Sequence, residues 1–556
     1  MSKPSSLATS RVCRRWPVRA ALFLSLGSVA FAISPPRFLS ERFRGPKVQV
    51  RDVEGVQERV HDNKLYLHVK DFIALVLKNN TEINLVRLDV WNAADSILGA
   101  KAPFDPNITA GFNSLRNVTP QFSQIGGAEQ LNFLSQTTTI NFQQTLSTGQ
   151  VLNVGFNGAR SSTNSAFNFF NPYISTALNF SVTQPLLQGR ANLQLRTPLM
   201  IARTQLLITS DQSEARIADL VANAARQYWD AIEARDNIKV QQQAYDLAQK
   251  SYERDKLALD LGALSSLDIF QSQSQVAQRK VAVIQAQFAY RDALDGLRRL
   301  IGADVNPSTR DMEIVLEDDP VATVAPVGPP EEAIAAALQK RPELSAVRRH
   351  QGINDLNARV ARDSMLPRFD VSAIGGGNGL GGNQIPVTGP LGTGPTTFVP
   401  GGLGDALHQM FGFQAPFYGF GVNLTLPIRS SAAQASLADA LVSRARDRYQ
   451  ERQLEQQVIQ DVKSATNQIA LGAAQIEAAK TARDLAQKNV EAEQQKYELG
   501  GVTAFEVLDA QSRLATVESS LLAAYVGYQK ALIGYERAVW TLLDGMGIIV
   551  ETPKVR

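Results

Sequence analysis

Two periodicities divide the chain. Val458, Val462, Ala465, Ile469, Ala473 and Ile476 follow one another at steps of 4, 3, 4, 4 and 3, and Ile217, Val221, Ala224, Tyr228 and Ile232 keep the same spacing. That is one face of an α-helix. Neither proline nor another strong breaker interrupts residues 199–261 or 430–499. Each stretch therefore predicts one helix of about 65 to 70 residues, roughly 100 Å long. Shorter helical segments are predicted at 65–100 and 266–301, and again at 331–364 and 504–543. Stacked end to end, each pair of short helices spans roughly 105 to 110 Å, which matches one long helix. Each long helix is thus expected to run antiparallel to a coaxial pair, with alanine-rich seams that allow close approach.

The second periodicity is two. Ile174, Thr176, Leu178, Phe180 and Val182 alternate with Ser175, Ala177, Asn179, Ser181 and Thr183, and Tyr418, Phe420, Val422, Leu424 and Leu426 alternate with Gly419, Gly421, Asn423 and Thr425. Similar strands are read at 106–115, 138–146, 150–158 and 367–374. They lie in two windows almost without charge: only Asp105, Arg116, Glu129 and Arg160 between 104 and 188, and only Arg368, Asp370 and Asp405 between 366 and 428. A soluble sandwich usually carries Lys and Glu on its wet face. Here that face is Asn, Ser, Thr and Gly, which suits the lumen side of a membrane β-barrel whose other side meets lipid. The Gly/Pro-rich 375–404 is expected to be a solvent loop.

The chain also repeats itself. DLAQK at 246 returns at 484, Leu261-Gly262 returns as Leu499-Gly500, and Gln273-Ser274 as Gln511-Ser512, an offset of 238. The front parts align at a different offset, 261: Ile73 with Ile334, Glu82 with Glu343, Arg87 with Arg348, and Pro106 with Pro367. The difference of 23 residues is extra length inside the first repeat. The expected domains are 64–302 and 331–545, with strands near 104–188 and 366–428, helix-turn tips near 262–266 and 500–504, a linker at 303–330 and a tail at 546–556.

Composition sharpens this picture. Lys3, Arg11, Arg14, Arg15 and Arg19 precede the apolar run ALFLSLGSVAFA, which ends in Ala30-Phe31-Ala32, so 1–32 reads as an export signal, with an uncleaved anchor as the alternative. The only cysteine, Cys13, lies inside that segment. A net charge of +3 over 556 residues, with the basic excess near the start, gives no basic face for nucleic acid. No later run of about 18 apolar residues predicts a membrane helix. Four to six strands per chain are too few to close a bacterial barrel, which needs about eight or more. Open edges in lipid would leave backbone groups unsatisfied. Several chains are therefore expected to share one barrel.

The stretches LYLHVKDFIALVLKNNTEINLV and RPELSAVRRHQGINDLNARVARDSMLPRFDVSA, the strand exit TQPLLQGR, and the two LG turns followed by helix starts and Gln-Ser resemble the TolC family of outer-membrane ducts over about 64–545. The resemblance implies a mainly α fold in which long antiparallel hairpins build a periplasmic α-barrel, with strands shared in a transmembrane β-barrel. It implies a homotrimer in outer-membrane lipid, a passive conduit for efflux or type I secretion. Its partners would be a periplasmic adaptor (membrane fusion) protein and an inner-membrane RND, ABC or similar transporter. The trimer count comes from the family alone. The first uncharged window is longer than the family pattern, with an extra hairpin around Leu146-Ser147-Thr148-Gly149-Gln150 that would sit outside the membrane or add strands, for 12 or 18 per trimer. Residues 33–63 have no counterpart and are expected to be loosely attached.

No enzyme, cofactor or metal site is expected. His61, His68, His350 and His408 have no ligand spacing, and no nucleophile elbow or phosphate-binding loop is present. The candidate site is the tip. Glu506 and Asp509 stand three residues apart on the first turn of a helix, where carboxylates complement the N-terminus; repeated round a pore they would make an acidic constriction favouring cations. By resemblance, Asp268 and Tyr497 are gate contacts, although Val502 stands where the family's lock carries an arginine. Gly262, Leu264, Ser265, Gly500, Val502 and Thr503 resemble the adaptor-docking turns and read equally as turn and cap chemistry. Three other readings stay open: an exported coiled-coil structural or adhesin protein, a soluble periplasmic scaffold, and an exported enzyme.

Overall fold

A computed structural model describes residues 54–56, 60–61, 64–120, 129–165, 168, 170–261, 269–305, 307–321, 328–384 and 399–548. The export signal and most of 33–63 lie outside the described residues. The fold is mainly helical, with two long helices, α3 (Leu193–Asp260) and α8 (Ser431–Glu498), each of 68 residues. Their starts and ends differ by the offset 238 of the sequence repeat. α3 begins six residues before the predicted start and takes in Pro198. Pro198 is the sixth residue of α3, just past the four N–H groups that lack an intrahelical partner, so the helix forgoes one bond there, to the Gln194 carbonyl.

The short helices are α1 (Val69–Asn79), α2 (Thr81–Lys101) and α4 (Ile269–Leu300) in the first repeat, and α5 (Pro330–Lys340), α6 (Pro342–Asp363) and α9 (Ala504–Val539) in the second. The single helices predicted at 65–100 and 331–364 are therefore each broken, at Asn80 and Arg341, again 261 residues apart. Asn80 is extended and its side chain accepts from the N–H groups of Glu82 and Ile83 at 2.9 and 3.2 Å, an N-cap. Arg341 is extended because Pro342 disfavours α geometry in the residue before it. The predicted seam residues are buried: Ile217, Val221, Ala224, Tyr228 and Ile232 in α3, and Val458, Val462, Ile469 and Ile476 in α8.

Residues 65–67 are strand, not helix. β1 (Val60–His61) and β2 (Lys64–Leu67) form a small sheet with β7 (Glu313–Leu316), which runs parallel to β2. The expected linker 303–330 thus carries a strand. Asp318, just beyond it, accepts from the Val69 N–H at 2.7 Å and from the buried Tyr228 hydroxyl at 2.7 Å, capping α1 from a distant part of the chain. Arg235 of α3 donates to the carbonyls of Leu316 and Asp318.

The remaining strands are β3 (Asn107–Pro120), β4 (Gln130–Thr145), β5 (Val151–Thr163), β6 (Phe170–Pro185), β8 (Arg368–Gln384) and β9 (Ala415–Thr425). All six form one antiparallel sheet in the order β3-β4-β5-β6-β8-β9, and the β6–β8 pairing joins the two repeats. The register aligns the alternation across every strand. Ile108, Phe142, Val154, Phe180, Gly375 and Tyr418 follow one another on one face, and Thr109, Asn141, Gly155, Asn179 and Gly376 on the other. One face is apolar over the half of the strands nearer the helices and carries Arg116, Gln136 and Arg160 farther out, while the other is mainly Asn, Thr, Ser and Gly, as expected for a lipid-facing band and a lumen.

The expected solvent loop at 375–404 is instead strand as far as Gln384. A run of glycines has no side-chain period to read. Its reason is tertiary: helix α7 (Leu403–Phe411) lies on the apolar face over Gly377, Gly379 and Gly381, with Ala406 and Met410 fully buried and the Thr176 hydroxyl donating to the Ala406 carbonyl at 3.0 Å. On its outer side the helix exposes Leu403 and Phe411 together with Asp405 and His408. A Cβ on Gly379 would collide with the Ala406 carbonyl oxygen, whereas one on Gly404 meets nothing. Gly379→Val is expected to cost about 1 to 3 kcal/mol or displace α7. The check is thermal melting in detergent, with Gly404→Ala unchanged; an unaltered melt of the valine variant would contradict this packing.

Candidate functional site at the helix tips

The free ends of the two hairpins gather α3, α4, α8 and α9. α8 ends in a Schellman turn. Gly500 takes φ +75°, its N–H donates to the Tyr497 carbonyl at 2.9 Å, and the Gly501 N–H donates to the Lys496 carbonyl at 2.8 Å. Thr503 then caps α9 in a capping box, its N–H donating to Glu506 Oε2 at 2.6 Å and its hydroxyl reaching the same oxygen. Gly262, Leu264, Ser265 and Asp268 lie outside the described residues.

Glu506 is exposed, and the Thr503 hydroxyl and N–H hold its carboxyl below the usual carboxylate range, so it is an anion at neutral pH. Asp509 is half-buried and paired with Arg513 Nε at 2.8 Å. That exposed i,i+4 pair is worth about 0.3 to 0.5 kcal/mol and leaves Glu506, Asp509 and Arg513 together with one net negative charge.

Tyr497 faces the other hairpin. Its hydroxyl donates to Asp255 Oδ1 at 3.0 Å, tying α8 to α3. Asp255 is 1% exposed, also accepts from the Ser272 hydroxyl of α4, and lies 3.9 Å from Arg254 Nε; the Arg254 guanidinium stacks 4.7 Å over the Tyr497 ring. Sequence reasoning missed Asp255, Arg254 and Ser272. A signal was present: Ala248, Ser251 and Asp255 step by 3 and 4 along the buried stripe of α3, where a carboxylate must find partners. Further along the same seam, Gln511 donates to Ser251 at 3.0 Å and Ser519 to Asn237 at 3.0 Å. Outside this polar seam, Leu257, Leu261, Phe270, Leu499 and Phe505 are all at least 60% exposed, an apolar collar round the tips.

Paired helical hairpins, an antiparallel sheet with few charges and one largely apolar band, and tips with exposed apolar side chains define a bacterial outer-membrane efflux channel subunit. The family model for outer membrane efflux protein matches residues 151–303 and 333–538, one segment in each repeat, and the chain belongs to that family. It is 22% identical to outer membrane protein TolC of Vibrio cholerae over 378 residues, covering 67% of this chain and 77% of that protein. Among solved structures, CusC superposes with a TM-score of 0.60 at 16% identity, covering 85% of this chain and 91% of that one. The Campylobacter jejuni CmeC outer membrane channel gives 0.58 at 13%, covering 89% and 94%. The Neisseria gonorrhoeae MtrE channel in its open state gives 0.57 at 16%, covering 89% and 98%.

Proposed function

We propose that three copies of this chain assemble into one passive duct whose tips dock on a periplasmic adaptor protein fed by an inner-membrane transporter. No covalent chemistry is involved. The observation that carries this reading is the six-stranded sheet with one apolar and one polar face, attached to hairpins that both turn at the same end. In a trimer, Glu506 and Asp509 line the narrowest part and favour cations, with Arg513 weakening the Asp509 contribution. The Tyr497–Asp255 bond holds the two hairpins of one protomer together at that end. Gly500, Val502 and Thr503, flanked by the apolar collar, receive the adaptor together with Gly262, Leu264 and Ser265, their counterparts in the first repeat of the sequence; apolar patches of this kind mark protein interaction sites.

The ring is tested by bilayer recording. Glu506→Gln combined with Asp509→Gln is expected to lower cation over anion selectivity and block by divalent cations severalfold; unchanged selectivity would remove both residues from the constriction. Membrane fractionation with amine crosslinking tests the assembly, and a soluble monomer would overturn it.

A further inference from the structure

The two outer edges of the large sheet are open. Among the described residues no strand pairs with the far side of β3 or of β9. In an antiparallel strand alternate residues aim both backbone groups to one side, so about seven residues of β3 and about five of β9 leave an N–H and a C=O unpaired. In hydrocarbon each such group costs several kcal/mol. The chain closes its other overhang by itself. Where β8 runs past the end of β9, the Leu380 N–H donates to Gln409 Oε1 at 3.1 Å, and Gln384 exchanges two 2.9 Å bonds with Val399. Among the described residues, the β3 and β9 edges of this sheet are left for another molecule.

Those edges match. β3 leads away from α2 and β9 leads back toward α8, so β9 of one protomer meets β3 of the next antiparallel, like every other pair in the sheet. The apolar face continues across the junction. Ile108 and Phe112 are 69% and 68% exposed, and Tyr418 and Phe420 91% and 85%, all on the face that carries Phe142, Val154 and Phe180.

We infer that all six strands of each chain enter the barrel wall, so that three protomers close an 18-stranded β-barrel through β3–β9 junctions. The inference rests on the trimeric duct proposed above. The β4–β5 hairpin is then part of the wall and not an external arm, because β4 and β5 are paired along nearly their whole length on both sides. At a spacing of about 4.8 Å and a tilt of about 40°, 18 strands enclose a backbone diameter of roughly 36 Å, against roughly 24 Å for 12. The outer mouth is wide, and the tips, not the barrel, limit the size of the cargo.

Cysteine pairs test this in the full chain in its own membrane, with Cys13 replaced by serine. One cysteine is placed on the polar face of β3, at Thr109, Gly111 or Asn113. The other goes on β9, at Gly419, Asn423 or Thr425, and oxidation or a short thiol crosslinker joins neighbours. Facing residues of adjacent strands lie within disulfide reach. The expected result is loss of the monomer band to a covalent trimer for the pairs in register, with 18 strands in a cross-section of the barrel by electron cryomicroscopy. Trimer formation through Asn153→Cys on β5 with β9, and 12 strands in the wall, would overturn the inference and leave the trimer standing. Monomer alone under amine crosslinking would overturn the trimer as well.

Discussion

Asp255→Ala is expected to loosen the helix tips. The substitution removes the acceptor shared by the Tyr497 and Ser272 hydroxyls and takes away the carboxylate beside Arg254, at a position only 1% exposed. Deleting one member of a buried charged cluster costs about 3 to 5 kcal/mol, because its partners stay behind without compensation. If that cost falls on the packed arrangement of the tips, the balance between packed and loosened states moves by about two to three and a half powers of ten, at about 1.4 kcal/mol per tenfold. Single-channel conductance in planar bilayers should rise severalfold. Tyr497→Phe removes one hydroxyl only, worth about 1.5 to 3 kcal/mol against a charged acceptor, so its effect should be smaller and in the same direction. Conductance equal to the parent in the Asp255 variant would show that the link between α8 and α3 does not hold the tips together.

The second large effect is expected at Arg537, near the far end of α9. Its side chain is 14% exposed and joins three elements: Nε donates to Asp219 of α3 at 2.7 Å, Nη2 to Glu343 of α6 at 2.7 Å, and the guanidinium stacks 4.8 Å over Trp540. Two carboxylates and one ring are served from one planar fork, which an ammonium cannot reproduce. Arg537→Ala should destabilise the packing of the two repeats by about 3 kcal/mol or more, and Arg537→Lys should recover only part of it. The thermal midpoint in detergent reads this directly, and full recovery by lysine would mean that charge alone, without the fork geometry, suffices.

Much of the fold is legible in the residues because its two periodicities are long and uninterrupted. A stripe repeated over 68 residues leaves one helix as the only way to bury Val458 through Ile476 on one side. The offset of 238 carries the ends of α3 onto those of α8, and the offset of 261 carries Val69, Thr81 and Asn107 onto Pro330, Pro342 and Arg368, the starts of three further elements. The breaks at Asn80 and Arg341 are local cap and proline chemistry, readable once a helix start is sought inside an apolar stretch. At the tip, Thr503 and Glu506 show the capping box in their spacing alone.

Other features were not legible. The glycines at 377, 379 and 381 have the composition of a loop, and only the backbone of α7 pressing on them explains why they are strand. For Tyr497 the residues offered Asp268 as a gate partner only by resemblance; the acceptor in the fold, Asp255, is 242 residues away and found only when α3 and α8 are packed. The amino-acid pattern by itself determined what is local and periodic: the helices, the two-faced strands and the repeat. Tertiary structure alone decided which strands neighbour one another, which edges remain open, and which polar side chains meet. Those depend on contacts between distant segments, whose free energy is gained only when both surfaces leave water together.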